Sequence, residues 1–189
     1  MKLFSSMLAL VVALGVSSLN AAELKSGPQV GEEVGAYEVT KCAGNSDDGV
    51  SEGDKLCYRC KMGNRPVVMI FSRQADAKVG KLLTQLDKVV AENTEKKLAS
   101  FVNLIGDDVE KNKTAMSKML TDGKVNHIAV VVPDDQQNGP AEYKIAPEAA
   151  VTVLIYKGGV VAANHAVTAD GLNDEAIKSI IADTSKILN

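Results

Sequence analysis

The feature that most limits what this chain can fold into is an alternation of two apolar patterns from Pro66 onward. Val67 to Phe71 is an unbroken apolar run between Pro66 and Ser72, as expected of a strand covered on both faces. After it, Val79, Leu82, Leu83, Leu86, Val89 and Val90 recur at helical spacing. They predict an amphipathic helix from Ala75 to about Asn93, with Ser72 as its cap. The pattern repeats. Leu98 to Ile105 reads as a strand. Val109, Met116, Met119 and Leu120 form the stripe of a second helix, opened by Asp107 or Asp108 and stopped by Gly123. His127 to Val132 is a third strand, closed by Pro133, and residues 134–147 are a polar loop. Val151 to Tyr156 and Val160 to Val167 flank Lys157-Gly158-Gly159, which predicts a hairpin. Asn173 caps a last helix, with Asp174 and Glu175 well placed for its dipole and Ile177, Ile180, Ile181, Thr184, Ile187 and Leu188 on its buried side. The order β-α-β-α-β, then β-β-α, predicts an α/β fold: a central mixed β-sheet flanked by helices on both faces. The first two strands should be parallel through a right-handed crossover, and the final pair should add an antiparallel edge.

The N-terminus reads differently. Lys2, an apolar run from Met7 to Val16 and small residues up to Ala22 have the three-part layout of a secretory leader over residues 1–22. The run is half the roughly 20 residues needed to span a bilayer. The expectation is a secreted or periplasmic protein with no stable membrane insertion after cleavage. A length of 189 residues predicts a single domain, taken as 31–189. Within it, residues 23–65 form an N-terminal extension and cysteine-bearing loop, and 66–189 form the core. A net charge of −3 without a basic face argues against nucleic acid. The absence of Trp and the 4% aromatic content argue against a stacking platform. With no nucleotide fingerprint and no serine–histidine–acid pattern, no cofactor is expected.

Chemistry is concentrated in three cysteines, Cys42, Cys57 and Cys60. Gly31 to Thr40 alternates weakly, as a short strand or hairpin would, and residues 41–65 carry enough Gly, Asn and Asp to read as loop. Cys57-Tyr58-Arg59-Cys60 is a C-x-x-C beside Lys55, Arg59 and Lys61, and such cations favour a thiolate. Three readings fit. In the first, Cys57 and Cys60 are a catalytic pair for thiol–disulfide exchange, with Cys42 as resolving partner. In the second, a disulfide staples the loop, stabilising by about 2 kcal/mol for Cys57–Cys60 and about 3 kcal/mol for a pairing to Cys42. In the third, the sulfurs hold a metal, which needs a fourth ligand; neither His127 nor His165 has ligand spacing, and no metal is expected. Arg73, just after the first core strand, is either an anion-binding group or a surface arginine.

Several segments resemble the thioredoxin-like superfamily, in particular its redoxin branch of peroxiredoxins and periplasmic thioredoxin-like proteins. Gly31 and Tyr37 stand where that branch opens with V-G-x-x-x-P-x-F. Pro66 to Phe71 resembles the strand leading to the active site, Tyr143-Lys144-Ile145 resembles its Y-x-[IV], and Val151 to Val161 resembles its closing hairpin. The resemblance spans roughly Gly31 to Leu188 and implies a thioredoxin-like fold, redox activity on protein thiols and disulfides, or an envelope-protein partner for a non-catalytic binding module. The departures are local. Ser72 to Val79 contains neither C-x-x-C nor P-x-x-x-T-x-x-C, and Val151 stands where the family has its cis-proline. The customary reactive corner has lost its sulfur, and the chain's C-x-x-C lies before the strand rather than after it.

Overall fold

The computed structural model describes residues 24–189, so the leader read at residues 1–22 lies outside the described residues. Seven strands form one sheet: β1 (Val39–Gly44), β2 (Lys55–Leu56), β3 (Pro66–Ser72), β4 (Ala99–Leu104), β5 (Ile128–Pro133), β6 (Val151–Lys157) and β7 (Val160–Val167). Their order is β2-β1-β5-β4-β3-β6-β7. β3, β4 and β5 are parallel neighbours, while β6 runs antiparallel to β3 and β7 antiparallel to β6, as the sequence pattern predicts. The hairpin turn uses Gly158 and Gly159 at φ 61° and 87°. There, a residue without Cβ adopts the left-handed region at least cost.

Side chains of β3 alternate between two apolar layers, as the strand period requires. Val68 and Ile70 point into one layer with α2 (Ala77–Glu92), α3 (Val109–Gly123) and α4 (Asp174–Asp183). Val67, Met69 and Phe71 point into the other, where a short helix α1 (Tyr58–Met62), a single 3-10 turn (Ala141–Tyr143) and the segment around Val34 cover the sheet. Helices therefore flank the sheet on both faces, but unequally. The three long ones share one side. The second layer takes every described aromatic side chain: Tyr37, Tyr58, Phe71, Phe101, Tyr143 and Tyr156.

Three local expectations are corrected. Ser72 does not cap α2; it stays buried in β3 and its hydroxyl donates to the Gln74 carbonyl. Asp76 is the cap, its carboxylate accepting from the backbone N–H groups of Lys78 and Val79 at 3.0 Å each. A carboxylate next to the first turn wins because it satisfies two orphan donors. Asp108 occupies the corresponding position of α3 without a side-chain cap bond. Gly123 is the last residue of α3 rather than its left-handed stop, which Lys124 provides at φ 51°. A Cβ at 123 would make a tight contact of 3.0 Å with the Thr84 hydroxyl of α2. Finally, the strand expected within Gly31–Thr40 begins only at Val39, and residues 41–65 are not all loop: they hold most of β1, the two residues of β2 and α1.

Candidate functional site

Cys57 and Cys60 form a disulfide, with Cα atoms 5.2 Å apart, at the start of α1. The local sequence explains the helix. Cys57 takes an extended backbone (φ −92°, ψ 100°) and acts as the cap, its Sγ accepting from the Cys60 backbone N–H at 3.0 Å. Gly63, at φ 57°, ends the helix and donates back to the Arg59 and Cys60 carbonyls. Cys57 is half-buried and Cys60 is exposed.

The two residues between the cysteines are both anchored. Tyr58 points inward, 1% exposed, with its ring 5.3 Å from that of Phe101. Its hydroxyl donates to Asp48 at 2.5 Å. Burial, then the Asp48 carboxylate it donates to, push this phenol well above its usual range, so it remains a donor. Asp48 is held in turn by Lys41, whose ammonium is 1% exposed and donates to Asp48 at 2.8 Å, to the Val50 carbonyl at 2.8 Å and to the Asn45 carbonyl at 2.7 Å. All three donors of the ammonium are therefore used. The loop Asn45-Ser46-Asp47-Asp48-Gly49-Val50 wraps the lysine as such loops wrap a cation, and Tyr58 rests on the wrapped charge. Arg59 turns the other way. Its Nε donates to the Val34 carbonyl at 3.1 Å, and its guanidinium lies over Gly159, where it leaves no space for a side chain. Lys55, expected to favour a thiolate, instead pairs with Asp134 at 2.8 Å and Glu38 at 3.4 Å on the surface.

The structure does not bring Cys42 to this pair. Cys42 packs against the layer of long helices, whereas Tyr58 belongs to the opposite layer, so the sheet lies between them. Leu56 pairs with Val39, which sets Cys57 level with Glu38 and Cys42 four residues further along the ladder. Four residues of strand are about 13 Å, beyond the ~7 Å Cα separation that a disulfide can bridge. The Cys42 thiol donates to the Val130 carbonyl at 3.3 Å, and burial pushes its pKa up to about 11.

The customary corner at the other end of β3 has different contents. Arg59 lies at the end of the sheet where Pro66 pairs with Lys157, and Ser72 is six residues further along β3, about 20 Å away. At that far end Arg73 donates from Nη1 to the Gln137 carbonyl at 2.7 Å, while its Nε and Nη2 are buried without a partner among the described residues. Gln137 also donates to Asp107, and Gly106 N–H donates to the Gln136 carbonyl at 2.7 Å. The 134–139 loop is thus strapped over the strand ends, and no sulfur is present in Ser72–Val79. Val151 follows a trans peptide bond, as do all the described residues.

The two histidines each face a carboxylate: His127 Nδ1 is 3.2 Å from Asp87 and His165 Nε2 is 3.0 Å from Asp183. Among the described residues no group of three or more His, Cys, Asp or Glu is placed to hold a metal ion. No described helix is long and apolar enough to cross a membrane.

Comparison with solved structures decides the fold. A candidate protein disulfide isomerase from Bacteroides thetaiotaomicron superposes with a TM-score of 0.62 at 12% identity, over 87% of this chain and 94% of that one. The peroxidoxin BcpB from Mycobacterium tuberculosis gives 0.57 at 15% identity, over 84% and 97%. The fold is thioredoxin-like. A third structure of this redoxin kind, a candidate thiol:disulfide interchange protein DsbE from Chlorobium tepidum, gives 0.53 at 12% identity, over 84% and 99%. No protein-family model matches the chain, and no curated protein matches it in sequence. The thioredoxin-like chain therefore shares architecture with thiol-handling proteins and carries a C-x-x-C disulfide of its own, set at the opposite end of β3 from the sulfur-free corner. Lys41 and Asp48, which support Tyr58, were not singled out by sequence. The available signal was the i, i+2 spacing of Val39 and Lys41, which puts both on one side of a strand, followed by an Asn/Asp/Gly loop.

Proposed function

We propose that this chain is an exported thiol–disulfide oxidoreductase that works through Cys57 and Cys60. The observation that carries the proposal is the asymmetry of the pair: Cys60 is exposed, while Cys57 is half-buried and accepts a backbone N–H. A partner thiolate attacks the exposed Cys60 sulfur. The Cys57–Cys60 bond breaks, and Cys57 leaves as a thiolate stabilised by the N–H it already accepts. A mixed disulfide now joins Cys60 to the partner. The partner's second thiolate attacks its own sulfur in that bond and releases Cys60. Two electrons and two protons pass from the partner dithiol to this protein, and the reverse sequence reduces a partner disulfide. Cys42, on the other face of the sheet, has no part in this scheme. The leader at residues 1–22 and the presence of a disulfide support an oxidising compartment, secreted or periplasmic.

The scheme assigns different roles to the two sulfurs, and variants separate them. Cys57→Ser should abolish turnover in an insulin-disulfide assay yet trap a stable mixed disulfide through Cys60. Cys60→Ser should neither turn over nor trap. Full turnover by Cys57→Ser contradicts the proposal.

A second reading has its own support. Tyr58 and Arg59 are both anchored, which suits a rigid staple in a non-catalytic binding module of the cell envelope. It predicts no turnover and no trapping by either variant.

A further inference from the structure

We infer that the surface beside the disulfide selects partners whose reactive cysteine lies in an acidic segment. This inference rests on the exchange reading above and names the class of substrate. A cleft of about 450 Å³ is lined by Lys61, the residue that follows Cys60 in α1. Lys61 and Arg65, from α1 and the turn that follows it, form one wall. Lys97 stands across from them, after α2. All three are exposed, and none makes an ion pair among the described residues. Lys55, Lys81, Lys113 and Lys118, by contrast, each have a carboxylate within 4 Å.

The acids in the cleft do not cancel the three. Asp48 is already committed to Lys41 and Tyr58. Asp47 remains as one free negative charge. His127, also in the wall, is turned toward Asp87. The cleft thus carries a local excess of positive charge on a chain whose net charge is −3. Because Lys61 follows Cys60 directly, a peptide whose sulfur reaches Cys60 places its neighbouring residues at this wall. Complementary charge there raises the encounter rate more than it raises final affinity.

The test uses the oxidised full chain and three cysteine peptides of equal length, flanked by Glu, Gln or Lys. Each peptide's rate of disulfide reduction is divided by its rate with hydroxyethyl disulfide, a neutral reference that removes differences in thiol reactivity. The normalised rate for the Glu peptide should exceed that for the Lys peptide by about tenfold at low salt, and the gap should close at high salt as screening shortens the reach of charge. Arg65→Glu/Lys97→Glu, which leaves both cysteines and Lys61 in place, should remove or reverse the preference while the Gln peptide reacts as before. Equal normalised rates for the three peptides, or a preference that survives in the double variant, overturn the inference and leave the exchange reading standing. No reaction with any of the three overturns the exchange reading, and the inference falls with it.

Discussion

Replacing Asp48 with Ala tests the support beneath the disulfide helix. The carboxylate has three partners: Lys41 at 2.8 Å, the Tyr58 hydroxyl at 2.5 Å and the Val50 backbone N–H at 2.9 Å. Its removal strands a lysine that is 1% exposed, with two carbonyls for company and no counter-charge. Breaking a buried ion pair from one side costs about 3–5 kcal/mol, because the remaining charge is left uncompensated. Tyr58→Phe removes only one hydrogen bond and should cost about 1–3 kcal/mol. Lys41→Met removes the buried charge itself. Combined with Asp48→Ala it should recover much of the loss, so the double variant falls short of the sum of the singles by more than about 1 kcal/mol. Urea unfolding of the oxidised protein, with midpoints compared at constant slope, measures each value. An Asp48→Ala loss below about 1 kcal/mol, or strict additivity with Lys41→Met, refutes the claim that this network holds the disulfide helix.

Other consequences are independent of that network. With its pKa raised from 9.0 to about 11, Cys42 at pH 8 should react with iodoacetamide about 100-fold more slowly in the folded protein than in urea; equal rates count against the buried geometry. The same shift sets a pH limit on stability. The folded state holds the thiol proton more tightly, so this contribution is intact below pH 9 and is lost as pH rises toward 11, and Cys42→Ala should flatten that slope. Asp183 has the opposite sign. Partial burial raises its pKa, but Lys186 and His165 together bring it below the usual 3.8, so its contribution is present at neutral pH and disappears as pH falls through the folded value. Asp183→Asn should therefore reduce the acid-side loss of stability in a pH series of unfolding midpoints. Asp76→Ala should destabilise by about 1 kcal/mol through loss of the α2 cap, and a value near zero would return the capping role to another residue.

Most of the scaffold could be read from the chain because its strands are covered on both faces. Val67–Phe71, Val151–Tyr156 and the runs between them leave no polar alternation to misplace, and the helices show their stripes over ten residues or more. The region before Pro66 was harder for physical reasons. β1 spends one of its inward positions on Lys41, whose charge hides the strand period until Asp48 is known to meet it. α1 has five residues, too few to display a helical period, and its cap is a cysteine rather than a usual Ser, Thr, Asp or Asn. Cys42 shares the same stretch of sequence as Cys57 and Cys60, yet strand geometry sends it to the opposite layer. Spacing along the chain carries no information about which face of a sheet a residue joins once a bulge intervenes, and β1 has one between Lys41 and Ala43.

The most direct measurement is the reduction potential of the Cys57–Cys60 bond, read by mass after equilibration in glutathione or dithiothreitol buffers and trapping of free thiols. A sulfur pair built for exchange should titrate between about −120 and −270 mV. A midpoint below about −300 mV, where structural bonds lie, would make the pair a staple and contradict the proposed activity.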